Sequence, residues 1–180
     1  MPIQPATLQL VTPTFRQRLA LVGEPIAVVR DPRLDADENE CVNAVAAQIA
    51  ELGGDMVIGW ALSEWSSILC EAIWHAVWRN NSGILIDVSF KDDDEHSILF
   101  WPDPNLTDDG IQRDNVRVPL SDNPLILEFI SVSEAFHRLL SETHSDITGP
   151  SVTIEGPLLE LHDRRAALAT ELRTCPNTGL

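Results

Sequence analysis

The chain has 180 residues, 44% of them apolar, which is enough for one domain with a substantial core and short for two. It carries 12 basic against 28 acidic side chains, a formal charge of −16, and so has little with which to neutralise a phosphate backbone or an anionic lipid surface; neither nucleic acid nor membrane is an expected partner. No apolar run approaches the roughly 18 residues of a membrane span, the N-terminus lacks the pattern of an export signal, and three irregularly spaced cysteines exclude a disulfide framework or a CxxC metal site, so a cytoplasmic location is expected.

In chain order, residues 1–34 hold Pro2, Pro5, Pro13, Pro25 and Pro32 with two short apolar runs, Leu8 to Val11 and Ile26 to Val29, which read as a proline-rich arm or edge strands. After the acidic stretch 35–40 comes an alanine-rich segment from Cys41, apolar at helical spacing. It predicts a helix with Asp35, Asp37 or Asn39 as N-cap and Gly53-Gly54 as its stop. Met56 to Leu62 predicts a strand, and Ser97 to Trp101 another, closed by Pro102. A polar loop follows, then a short strand Val116 to Pro119 and a helix capped by Ser131 or Ser133 and running through Ser141. A short strand Ser151 to Glu155 and a helix Leu158 to Thr174 complete the chain. Helix, strands, then helices make an α+β domain spanning 1–180, with a candidate catalytic core over 35–104 and C-terminal strands and helices over 105–180.

All five tryptophans fall between Trp60 and Trp101. Inside that block, Glu71 to Trp78 and Ile84 to Phe90 are apolar, β-branched runs separated by Asn80-Asn81-Ser82-Gly83, which predicts a β-hairpin. With a three-residue loop, Asn80 to Ser82, His75 stands directly opposite Asp87, their Cβ atoms about 4.5–5.5 Å apart. That register puts Trp74, Ala76 and Trp78 on one face with Ile84, Ile86, Val88 and Phe90, a core face suited to packing on helices, and His75 with Asp87 in the mostly apolar other face. A slip of one residue would part them.

An imidazole beside a carboxylate needs a nucleophile to become a catalytic triad. Cys41, opening the predicted helix, supplies one: unpaired N–H groups and the helix dipole favour a thiolate there, as does a neighbouring imidazolium. Asp87 would then orient His75. Read alone, a cysteine in an alanine-rich helix is a small buried apolar residue, and His75 alone is a satisfied core histidine; the conjunction of the three points to chemistry. Cys70, on the strand face opposite His75, is the competing thiol, and Cys175 lies in a Pro/Asn/Gly tail.

A helix-opening cysteine followed by histidine and aspartate on adjacent strands resembles the papain-like superfamily in its transglutaminase-like branch. Cys41-Val-Asn43, Gly54, Gly59-Trp60, His75-Ala-Val-Trp78, Gly83 and Asp87-Val88 also resemble a group of small bacterial proteins, over about residues 37–104. The resemblance implies a cysteine helix packed on an antiparallel sheet. It implies Cys41 as nucleophile, His75 as general base and acid, and Asp87 as orienter, acting without a cofactor on the amide bond of a peptide or protein as a thiol protease, deamidase or transglutaminase-like enzyme. The superfamily's oxyanion-hole glutamine is absent before Cys41; Asn43 and the indole of Trp60 are the substitutes this sequence offers. Trp60, behind a glycine, is also the expected wall of a substrate cleft.

Two other readings compete. Cys41, His75 and Asp87 with Glu71 are acceptable zinc ligands, although no resident metal is expected. Alternatively the fold serves as an inactive, acidic interaction module whose −16 surface docks a basic protein partner.

Overall fold

The computed structural model describes residues 3–38, 40–65, 67–91, 93, 95–109, 113–143 and 154–174; most of the expected strand Ser151 to Glu155, together with Cys175, lies outside the described residues. The elements are α1 (Pro5–Leu19), β1 (Ile26–Arg30), α2 (Cys41–Leu52), β2 (Asp55–Trp65), β3 (Leu69–Arg79), β4 (Leu85–Asp87), β5 (Ser97–Pro102), β6 (Val116–Pro119), α3 (Pro124–Thr143) and α4 (Pro157–Thr174). The α+β expectation holds.

Five strands, ordered β2-β5-β1-β4-β3, close into a barrel because β2 also pairs with β3, and β6 adds to the outer half of β3. The sheet is mixed, not antiparallel as expected: β1 runs parallel to β4, with Val29 opposite Ile86 and Arg30 opposite Asp87, and antiparallel to β5. The nine residues between β4 and β5 let β1, far earlier in the chain, slot between two strands that sequence order alone would pair.

Alternation along each strand sorts the side chains. The barrel interior is packed by Val28, Val77 and Phe100 with Val57, Leu85 and Ile98. The outer faces lie under helices. From α2, Cys41, Ala44 and Val45 pack on Ile58, Ala76, Trp78 and Val88, as the hairpin pattern predicts for Trp78 and Ala76. α3 and α4 contribute Ile126 and Leu172 against Ile68 and Leu69.

The N-terminal arm is a correction. Leu8 to Val11 is no edge strand but part of α1, which lays Val11 and Phe15, both essentially fully buried, against Trp60, Leu62, Cys70, Ala72 and Trp101. Leu8, Val11, Phe15 and Leu19 recur at helical spacing. Prolines disguise it: one stands in the first turn, where a missing N–H breaks no bond, and Pro13 is carried inside the helix. Likewise α3 starts at Pro124, seven residues before the expected Ser131 cap, because the Asn123 carboxamide oxygen accepts the Leu125 N–H at 2.9 Å and caps it there.

Gly59 is required by the barrel's closure. A Cβ there would sit 2.3 Å from the Trp101 carbonyl oxygen and 2.8 Å from Cζ of Phe100, so β5 crosses β2 in backbone contact. Gly59 is also the residue directly opposite His75.

Candidate active site

His75 sits on β3 and points into the barrel, where its ring meets the edge of Phe100 at 6.5 Å between centroids. β4 pairs with β3 only through Trp78–Ile86 and Arg79–Leu85, then turns away. The hairpin loop therefore spans five residues, Asn80 to Ile84, and not three. Its geometry is fixed by Asn80, whose side-chain oxygen accepts the N–H groups of Ser82 and Ile84 at 2.9 Å each.

This shifts the register by two residues from expectation, so that continuation of the ladder sets Asp87 against Val77 and diagonally from His75. An even slip preserves the face. Asp87 still reaches the imidazole, with His75 Nε2 3.1 Å from Asp87 Oδ1.

Asp87 is almost wholly buried, its side chain 2% exposed. Its Oδ1 also accepts the Ser89 hydroxyl at 2.6 Å and the Ser89 N–H at 3.1 Å. Burial alone would raise the carboxyl's pKa, but the bonds from His75 and then Ser89 outweigh it and hold the group below its ordinary value. On the imidazole, burial disfavours the charged ring; its hydrogen bond to Asp87 and then the neighbouring Cys41, with the charges of both, override it and raise its pKa to about 9. Three residues far apart in sequence are thereby one electrostatic unit: thiol, imidazole and carboxylate.

Cys41 is the first residue of α2 and is 8% exposed. The cap position belongs to Glu40, not to Asp35, Asp37 or Asn39, and makes no side-chain capping bond. Asp35 is instead drawn to Arg33 at 2.8 Å. The first-turn N–H groups beside the sulfur thus have no side-chain cap, an arrangement that favours negative charge.

Other expected participants are placed elsewhere. Trp60 is a correction: it lies on the outer face of the barrel beneath α1, is 4% exposed, and its indole N–H donates to buried Asp103 at 3.2 Å. It pairs across strands with Trp74 and Trp101, so parity sends it away from His75. Asn43 is exposed in the first turn of α2 with its amide donating to Glu40 at 2.7 Å. Neither is turned to the thiol. Trp74, the residue before His75, packs against the cluster that holds Cys41, and its buried indole N–H has no hydrogen-bond partner.

Glu71, the fourth ligand of the zinc reading, pairs with Arg117 at 2.9 Å. Among the described residues no group of three or more His, Cys, Asp and Glu side chains is placed to hold a metal ion. Cys70 is fully buried, and burial, followed by the charges of Glu64 and Glu71, pushes its thiol up to about 12. The sequence reading missed Ser89 as a donor to Asp87, and it missed Arg30. Both carried a signal: each is a polar residue at an inward-facing position of an apolar run.

No helix among the described residues is long and apolar enough to cross a membrane. Comparison of the chain with protein-family models, with curated proteins and with solved structures returned no match.

Proposed function

We propose that the protein is a thiol-dependent acyl-transfer enzyme acting on an amide bond, with Cys41 as nucleophile, His75 as general base and acid, and Asp87 as its orienter. One observation carries the reading: Asp87, on a neighbouring strand, hydrogen-bonds the His75 imidazole at 3.1 Å, and Cys41, at the start of a helix, stands near enough to the same ring to help raise its pKa. A cysteine helix on a barrel that carries the histidine and the aspartate is also what a transglutaminase-like member of the papain-like superfamily would have.

The chemistry follows from the roles. His75 takes the thiol proton, and the Cys41 sulfur attacks the carbonyl carbon; a C–S bond forms and the π pair moves to oxygen. That oxygen would be received by the uncapped N–H groups at the start of α2. As the C–N bond breaks, the leaving amine or ammonia collects the proton from His75, and a thioester remains. Water, deprotonated by His75, or an incoming amine then attacks the thioester and the thiol is regenerated. At a net charge of −16, neutral or basic peptide amides are the favoured substrates.

The test is turnover of a mixture of neutral and lysine-containing peptides, read by mass spectrometry for cleavage, for the roughly 1 Da gain of deamidation and for an acyl adduct on the protein. Wild type forms the adduct at Cys41, and Cys41→Ala abolishes both adduct and product. The inactive interaction module draws on a different observation: Asn43 and Trp60, the side chains able to replace the missing oxyanion donor, are engaged by Glu40 and Asp103. Absence of any adduct or product, with binding of a lysine-rich peptide that weakens in salt, would favour it.

A further inference from the structure

The triad does not end at Asp87. Arg30, the last residue of β1, lies beside Asp87 in the one parallel pairing of the barrel. Its side chain is 4% exposed, and its Nε stands 3.5 Å from Asp87 Oδ2, the oxygen that His75 does not use. This is an ion pair without hydrogen-bond alignment, since the same Nε is otherwise buried without a hydrogen-bond partner. The other end of the guanidinium is anchored in the β4–β5 loop, where Nη1 bonds the Asp93 carboxylate and, at 3.1 Å, the Glu95 carbonyl. The backbone joins in: the Arg30 N–H donates to the His96 carbonyl at 3.0 Å, and the Asp31 N–H to the Asp87 carbonyl at 2.9 Å.

We propose that Arg30 is a positioning residue for the Cys41–His75–Asp87 site: held by Asp93, it fixes the second oxygen of Asp87 and sets how much negative charge that carboxylate presents to His75. A buried arginine inside a small barrel is costly unless its charge is matched, and here it is matched by two carboxylates, one of them the orienter itself. Asp87 thus lies between two cations, the guanidinium and, once protonated, the imidazolium. Each weakens its hold on the other. The titratable and charged groups set against His75 are Asp87 from β4, Cys41 from α2 and, one step beyond, Arg30 with Asp93; β2 and β5 present Gly59 and Phe100, which are uncharged.

The signs are opposite for the two anchors. Removing the Arg30 charge removes a cation a carboxylate's width from the imidazolium, and the His75 titration midpoint moves up by about one pKa unit. Removing the Asp93 charge leaves Arg30 to Asp87 alone, and the midpoint moves down. Arg30→Lys, which keeps the charge, leaves it near the wild-type value.

The inference rests on the acyl-transfer reading for its consequence for rate, but its test does not. The experiment follows the His75 ring by NMR in histidine-labelled protein, assigned with His75→Ala, for wild type, Arg30→Gln, Arg30→Lys and Asp93→Asn. The expected result is a rise in Arg30→Gln, a fall in Asp93→Asn and little change in Arg30→Lys. Should Arg30→Gln not fold, Asp93→Asn, at the loop end of the network, decides. A folded Arg30→Gln, or in its absence Asp93→Asn, with an unmoved His75 midpoint would overturn the proposal, whatever the enzyme assay shows; an inactive protein with the expected midpoint shifts would refute the acyl-transfer reading and leave Arg30's role standing.

Discussion

The His75–Asp87–Cys41 unit has a thermodynamic signature that does not depend on knowing a substrate. In the folded chain the His75 pKa is raised to about 9, above its ordinary 6.5. A group raised on folding contributes stability that is fully present below its unfolded value and lost as pH climbs through its folded one. The window is therefore pH 6.5 to 9, and a shift of this size corresponds to on the order of 3 kcal/mol. The perturbation is His75→Gln, which keeps a side-chain donor for Asp87 but cannot titrate. The assay is urea unfolding at pH 6 and pH 9.5 for both proteins. Wild type should lose about 3 kcal/mol more than the variant across that interval, a further fall in midpoint of about 1.5 M for a slope near 2 kcal/mol/M. In a Cys41→Ala background the difference should shrink but survive, because Asp87 is the first of the groups that raise the ring. Parallel pH dependence in wild type and His75→Gln would refute the reasoning.

Other expectations follow from the packing around the site. Gly59→Ala puts a Cβ 2.3 Å from the Trp101 carbonyl oxygen; a cost of about 2–3 kcal/mol should lower the melting temperature by roughly 5–10 °C. Ser89→Ala removes the 2.6 Å bond to Asp87 Oδ1, which should cost about 1.5–3 kcal/mol in denaturant melts. It should also flatten the acid limb: Asp87, depressed on folding, gives stability that is present above its ordinary 3.8 and lost as pH falls through the folded value, and without the Ser89 hydroxyl the folded value returns toward the ordinary one, so less is left to lose. Cys70, buried and with its thiol near 12, should resist iodoacetamide at pH 8 in the native protein and react once urea unfolds it.

How much of this was legible in the sequence can be argued residue by residue. The cysteine helix was, because an alanine-rich segment, apolar at helical spacing, runs into a glycine pair that ends it, although its N-cap was not where the acidic residues suggested. The faces of the hairpin were legible too, although its loop was not: the Asn80 side chain caps a five-residue turn that looks like a shorter one, and parity survived because the error was even. Trp60 was misplaced although the same parity argument, carried from Trp74 across to β2, would have sent it outward. The parallel insertion of β1 was out of reach, since nothing local in Ile26 to Arg30 announces a partner more than 50 residues away. Yet the arginine ending that apolar run was a mark of the kind His75 and Asp87 leave: a charge at an inward position of a strand needs a partner there.

The central claim is that Cys41 is activated by His75 and Asp87 acting together. Iodoacetamide labelling at pH 6, mapped by peptide mass spectrometry in wild type, His75→Ala and Asp87→Ala, tests it most directly. The account predicts that Cys41 reacts far faster than Cys70 in wild type and loses that advantage in both variants. Equal, slow labelling of both thiols in wild type, or a fast Cys41 indifferent to the loss of His75, would contradict it.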